Sequence, residues 1–139
     1  MTIALPKKDF RTIPLRFIIA EDELNIRNLV KQVIARTYPG SVSTAVGNGT
    51  EALLAYVKQG ADCLITDRYM PQMDGLALIR AIRLKEKALP IVLMSAHIDP
   101  MLNRTLVAQT HFLAKPFTIT QFVANLTNLL PERPYKTML

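Results

Sequence analysis

The sequence predicts an α/β domain whose parallel sheet is covered by helices on both faces. Three observations carry that prediction. Short apolar stretches recur as buried strands, joined by a weaker one at Val42–Val46, to give five strands that alternate with helices. Each is followed by a stretch with helical periodicity or helix-start chemistry. The length of 139 residues fits one domain with a proper core and would cramp two.

Residues 1–14 hold Pro6 and Pro14 and no sustained period, so they read as an extension, loosely ordered or docked on the surface. Leu15–Ala20 is a buried strand that ends directly in Glu21-Asp22-Glu23. From about 24 to 37, Ile26, Leu29, Val30, Val33 and Ile34 fall on one helical face, and Pro39-Gly40 stops the helix. Val42–Val46 is a weaker strand, followed by a Gly47-Asn48-Gly49 turn. Glu51–Gln59 reads as a helix with Leu53, Leu54 and Val57 inward and Gly60 as its C-terminal glycine.

The apolar run that begins at Cys63 delivers one carboxylate, Asp67, into a Pro/Gly-punctuated loop reaching Gly75. Asp74 caps a helix with Leu76, Ile79 and Ile82 inward and Arg80, Arg83 and Lys85 outward. Pro90–Met94 is a fourth buried strand, ending at Ser95-Ala96-His97. Asp99-Pro100 starts a helix to about Ala108, whose poor apolar stripe predicts the weakest packing. His111–Ala114 is a fifth strand, ending at Lys115-Pro116. Thr118 and Gln121 make a capping box, Phe117 can staple onto Phe122, and Pro131 stops this last helix after about Leu130. Glu132–Leu139 reads as a disordered or surface-bound tail.

Composition narrows the classes. Half the residues are hydrophobic and a fifth charged, which argues against disorder. No apolar run approaches the ~20 residues of a membrane span, and the N-terminus lacks a signal peptide's apolar segment, so a cytoplasmic location is expected. The lone Cys63 lies in an apolar strand and reads as a small buried hydrophobe. The net charge of +6 is uneven, with +3 in residues 1–16 and +1 in residues 131–139. A basic arm could touch nucleic acid or an acidic partner, but no DNA- or RNA-recognition signature accompanies it, and a solvated tail is the simpler reading.

In a parallel sheet the carboxyl ends of the strands share one rim, where open α/β sheets bind ligands. That rim receives Glu21 and Asp22 from the first strand, Asp67 from the third, Ser95 from the fourth and Lys115 from the fifth. Three carboxylates together repel one another unless a cation or a proton intervenes. Mg2+ takes carboxylate oxygens, retained waters and phosphate oxygens, and with no His or Cys at the strand ends apart from His97, zinc is disfavoured. A metal, a carboxylate nucleophile, a lysine and a hydroxyl are what forming and breaking an aspartyl phosphate requires.

From Leu15 to Leu130 the sequence resembles the receiver domain of a two-component response regulator, CheY-like and single-domain, a bacterial signalling family. The matching motifs are Ile19-Ala20-Glu21-Asp22-Glu23, Asp67 through Gly75, Met94-Ser95-Ala96 and Lys115-Pro116-Phe117. The resemblance implies a doubly wound, flavodoxin-like (βα)5 domain with strand order 2-1-3-4-5; that order is the family's, carried over rather than read from the residues. It divides the chain into a basic extension (1–14), a receiver domain (15–130) and a tail (131–139).

The resemblance further implies that Asp67 accepts a phosphoryl group from a histidine kinase or histidine phosphotransfer protein. Glu21, Asp22, Asp67 and the Tyr69 backbone carbonyl would hold Mg2+, with Mn2+ a possible substitute. Lys115 and Ser95 would contact the phosphoryl group, and the Lys115–Pro116 bond is expected to be cis, as family members often have it. Phe112 matches the switching aromatic, coupled through Ser95 to the face of the fourth helix, fifth strand and fifth helix, where a downstream protein would bind. Glu21 stands where many relatives have Asp, and Phe112 lacks the hydroxyl of the frequent Tyr. Tyr69 and His97 flank the entrance and are expected to tune phosphoryl lifetime, whereas His111 reads as an ordinary strand residue.

The leading expectation is a phosphorylation-activated switch, catalysing only its own phosphorylation and dephosphorylation. With nine residues after Leu130, output is expected through partner binding, as a monomer or a phosphorylation-dependent dimer, without nucleic acid or membrane. A phosphorelay intermediate or phosphate sink is the alternative. An interaction module that has lost phosphorylation is less consistent with the intact acids, Ser95 and Lys115. A haloacid-dehalogenase-like phosphatase would need an acid where Tyr69 stands.

Overall fold

The structure is a computed structural model and describes residues 12–97, 110–130 and 135–137. Its elements are β1 (Thr12–Pro14), β2 (Arg16–Ala20), α1 (Leu24–Thr37), β3 (Val42–Val46), α2 (Gly49–Gln59), β4 (Cys63–Asp67), α3 (Gly75–Arg83), β5 (Ile91–Ser95), β6 (Thr110–Ala114), α4 (Ile119–Leu129) and β7 (Tyr135–Thr137). The five long strands form one parallel sheet in the order β3-β2-β4-β5-β6. Counting from β2, this is the expected order 2-1-3-4-5 of a CheY-like fold. The helix expected from Asp99 to about Ala108 lies outside the described residues.

The continuous apolar runs form central strands because both of their faces are covered. Every residue of β4 and β5 is buried, and successive side chains go to opposite cores. On one face Cys63, Ile65, Val92 and Met94 meet Val30, Val33 and Ile34 of α1 and Phe122 and Leu126 of α4. On the other, Leu64, Ile91 and Leu93 meet Ala52 of α2 and Leu76, Ile79 and Ile82 of α3. Each large side chain removed from water contributes roughly 1.5–3 kcal/mol, so a one-residue slip of register would exchange the two cores and is strongly disfavoured.

The Asp74 cap and the Thr118 capping box form as the sequence specifies, whereas Asn48, read only as part of a turn, caps a helix that starts at Gly49, two residues before the expected Glu51. The Asn48, Asp74 and Thr118 side chains accept from the backbone N–H groups of Glu51, Ala77 and Gln121, and Gln121 closes the capping box. The Phe117 and Phe122 rings stack with centroids 5.8 Å apart. Gly60 ends α2 at φ +71°, and Lys115–Pro116 is cis.

Three packing expectations need correction. Leu54 and Val57 are 64% and 60% exposed, while Ala52 is buried and Leu53, Ala55 and Tyr56 pack inward. The helix turns Ala52, Leu53 and Tyr56 to the core, which leaves Leu54 and Val57 on the outer side. Leu29 is also exposed, leaving Ile26, Val30, Val33 and Ile34 as the packed stripe of α1. Arg83, expected outward, is half-buried, and its guanidinium donates to Thr110 Oγ1 at 2.8 Å and to the Glu86 carbonyl at 3.2 Å.

Within the stretches read as extension and tail, β1 and β7 pair antiparallel, with Ile13 opposite Lys136. Among the described residues no helix is long and apolar enough to cross a membrane.

Two glycines offer a contrast in cost. A Cβ on Gly75 would lie 2.1 Å from the Asp67 carbonyl oxygen, whereas one on Gly60 meets nothing within 4 Å and suffers only from the positive φ. Gly75→Ala should therefore cost about 3 kcal/mol or more, and Gly60→Ala, at φ +71° and ψ −178° where glycine is strongly favoured, about 1–2 kcal/mol. Urea denaturation measures both, and equal losses would refute the steric account.

Candidate functional site

Each charged group on the rim is delivered by a strand that has little freedom to move. Glu21 follows β2, and its backbone N–H donates to the Val46 carbonyl at 3.0 Å, while its carbonyl accepts from the Arg27 guanidinium at 3.0 Å. Asp67 is the last residue of β4, paired in register with Met94, and Ser95 is the last of β5, paired with Ala114. The Lys115 N–H donates to the Ser95 carbonyl at 2.8 Å, which fixes where the lysine leaves the sheet.

These strand ends bring the charges together. Glu21, Asp22 and Asp67 each offer a carboxylate oxygen, all within 4.8 Å of one another. Glu21 is fully buried, Asp67 is 9% exposed, and Asp22 is open to solvent. Lys115 Nζ lies 2.7 Å from Glu21 Oε1 and 3.2 Å from Asp67 Oδ1. The Arg68 N–H also donates to Asp67 Oδ1, at 3.0 Å.

Three acids and one ammonium leave the cluster two negative charges in excess when all are ionised. Burial pushes the Glu21 carboxyl up to about 7, with the Asp67 charge adding to the rise and the hydrogen bond and charge of Lys115 opposing it. Burial alone would lower the Lys115 pKa, but its hydrogen bond to Glu21 and the charges of Glu21 and Asp67 raise it, so the lysine stays cationic. A cluster of hard oxygen donors with surplus negative charge, half-open at Asp22, fits a divalent cation such as Mg2+.

Ser95 and Phe112 are placed less directly. The Ser95 hydroxyl, 2% exposed, donates to the His97 carbonyl at 2.8 Å and accepts from the His97 N–H at 3.2 Å. It is thus engaged in a local turn of its own loop. Phe112 is partly buried against the α2–α3 core, and its carbonyl accepts from Asn125 Nδ2 of α4 at 3.3 Å. His97 and Tyr69 are exposed, His111 is half-buried in β6, and the Arg68 guanidinium carbon stands 4.9 Å from the Tyr69 ring centroid.

A feature the sequence reading missed lies on the loop after Asp67. Gln72 and Met73 have φ of +50° and +83°, conformations that cost non-glycine residues about 1–2 kcal/mol each. They are held from outside by the first turn of α2. The Gly49 N–H donates to the Met73 carbonyl at 3.1 Å, and the Thr50 N–H and hydroxyl donate to the Gln72 carbonyl at 3.0 and 2.7 Å. A Cβ on Gly49 would sit 2.2 Å from the Met73 oxygen, so only glycine permits this approach. The visible signal was the Gly47-Asn48-Gly49 turn, but nothing local names its tertiary partner.

Comparison with known proteins agrees with this arrangement. The family model for the response regulator receiver domain matches residues 17–127. The chain is 33% identical over 108 residues to the DNA-binding transcriptional regulator NtrC of Salmonella typhimurium, covering 76% of this chain and 23% of that protein. It is 31% identical over 120 residues to the transcriptional regulatory protein TrcR of Mycobacterium tuberculosis, covering 84% and 46%. The chain thus spans about a quarter and about half of these relatives' lengths. A putative response regulator of Chloroflexus aurantiacus superposes with a TM-score of 0.74 at 28% identity, over 85% of this chain and 98% of that one. The chemotaxis protein CheY4 of Vibrio cholerae shares the fold at a TM-score of 0.75 and 24% identity, over 85% and 100%. The acidic rim, the sheet order and these matches together show that the chain belongs to the response regulator receiver domain family.

Proposed function

We propose that this receiver accepts a phosphoryl group on Asp67 from a phosphohistidine of a kinase or phosphotransfer protein and signals by a change in what it binds. The observation that carries this reading is Lys115 Nζ within 2.7 and 3.2 Å of Glu21 and Asp67. That contact leaves an ammonium beside the one carboxylate that ends a fully buried strand.

In the transfer, an Asp67 carboxylate oxygen bonds to phosphorus as the phosphorus–nitrogen bond of the donor breaks and the imidazole leaves with its electron pair. Glu21, Asp22 and Asp67 would hold Mg2+, with the Tyr69 carbonyl, and when bound the ion offsets charge on the carboxylates and on the phosphoryl oxygens. Lys115 neutralises a phosphoryl oxygen, and its existing bond to Glu21 keeps its stem directed at the site. Ser95 gives up its bond to the His97 carbonyl and donates to the phosphoryl group, so the Ala96–His97 turn must move with it. That movement, together with Phe112, would reach a downstream face that includes β6 and α4. Beside Lys115, a groove lined by Ile26, Leu29, Ala96, Pro116 and Phe117 gives an apolar seat for the phosphodonor. Transcriptional output is stated of NtrC and TrcR as whole proteins; for this chain, the partner and any dimerisation belong to the same proposal.

Incubation with acetyl phosphate and Mg2+ should add one phosphoryl group by mass, and Asp67→Asn should abolish the gain. No gain in the unmodified chain, with Mg2+ bound, would overturn the reading. Tyr69→Ala and His97→Ala should each change the hydrolysis rate of the aspartyl phosphate several-fold, measured by loss of label; unchanged rates would show that neither governs access of water.

The raised Glu21 pKa sets a pH dependence. Its folded value of about 7 exceeds the ordinary 4.5, so the ion-free folded state binds a proton more readily than the unfolded chain. Stability should therefore fall as pH rises from about 4.5 to 7 and level off above, by on the order of 1–3 kcal/mol. Urea unfolding in a chelator reads this slope, and Glu21→Gln should flatten it.

A further inference from the structure

The loop from Arg68 to Asp74 is fastened by backbone hydrogen bonds at two places. Its root is closed by the Gly75 N–H donating to the Arg68 carbonyl at 2.7 Å and by Gly75 packed against the Asp67 carbonyl. Its tip, Gln72–Met73, is held by three hydrogen bonds from the first turn of α2. Between the root at Arg68 and the tip lie Tyr69, Met70 and Pro71, with Met70 packed against the α2–α3 core. A three-residue span with both ends fixed has few conformations, so its carbonyls are aimed by the positions of the fasteners. The tip fastener also holds two residues at positive φ, where they do not stay without external bonds.

Two of the three tip bonds use backbone N–H groups that a helix start leaves without intrahelical partners. The third comes from a side chain, the Thr50 hydroxyl at 2.7 Å from the Gln72 carbonyl. Thr50 therefore supplies the only part of the clamp that a side-chain change removes while the backbone of α2 stays in place.

We infer that Thr50 is a positioning residue of the divalent-cation site. It is not one of the clustered acids; it acts through Gln72 to restrain the short span that carries the Tyr69 carbonyl, a ligand under the proposed function. This rests on the metal reading proposed above and extends it to a residue in the first turn of α2. Losing one solvent-exposed hydrogen bond should be felt as a looser, less preorganised carbonyl rather than as a lost ligand.

The test is calorimetric titration of Mg2+ into the full chain and into Thr50→Val and Thr50→Ser, well below the unfolding temperature. Thr50→Val, which keeps the shape and loses the donor, should weaken Mg2+ binding about two- to tenfold. Thr50→Ser, which keeps the hydroxyl, should bind as the unmodified chain does. A purely structural role would lower the urea midpoint of Thr50→Val while leaving the Mg2+ affinity of its folded form unchanged, and that result would overturn the inference. Equal weakening in Thr50→Ser would also overturn it, because the donor would then not be the cause. Failure of acetyl phosphate to label a chain that binds Mg2+ would sink the signalling function alone, since the titration reads the ion without any transfer.

Discussion

The buried Glu21 carboxylate and its bond to Lys115 are the constraint on which the rest of the site depends. A carboxylate with no solvent access is costly unless paired, and its partner here comes from β6, three strands away from β2 in the sheet. At about 4.8 Å between strands that is a lateral distance of ~14 Å on a flat sheet. Sheet twist shortens the path across the rim, and the four-carbon stem of lysine covers what remains. The pairing thus requires a parallel sheet, this strand order and a long flexible cation together. An antiparallel arrangement would send alternate strand ends to opposite rims and separate Glu21 from Asp67.

Because that ion pair is shared, Lys115 is both structural and available. It lies closer to Glu21 than to Asp67, so charge added at Asp67 competes with Glu21 for the same ammonium. Ser95 is in a comparable position, with its hydroxyl occupied by the carbonyl two residues further along the same loop. Both groups that would meet a phosphoryl oxygen already have partners. Drawing them away rearranges a loop and an ion pair, which is how a local chemical event acquires a conformational consequence.

What the sequence made legible is what one segment can specify by itself. Strand ends, caps and stop signals are local, and Asp67, Ser95, Lys115, Asp74 and the Thr118–Gln121 box all lie where local chemistry predicts. The misplaced residues are those whose position is decided by something distant. Leu54 and Val57 point outward because Ala52 and Tyr56 fit the sheet and α3 more closely, a choice that hydrophobicity along one helix cannot reveal. Arg83 turns in because Thr110, far along the chain, offers it an acceptor. The clamp on Gln72 and Met73 joins two loops about twenty residues apart, and neither contains a pattern that names the other.

The division between strands and loops also separates two kinds of residue. Asp67 and Ser95 end strands whose every residue is buried, and Glu21 and Lys115 sit one step beyond a strand end, so moving any of them means shifting a register that two cores enforce. Tyr69, His97 and Thr50 are exposed residues on loops or helix starts, where a change of side chain leaves both cores intact. On the proposed function, the rigid set would therefore define whether the rim can hold a cation and an acyl phosphate at all. On the same proposal, the exposed set would adjust how tightly and for how long, because altering it changes only local bonds of about 1 kcal/mol each. A receiver built this way can be retuned through its loops without re-solving its fold, and that independence follows from where the sheet ends and the loops begin.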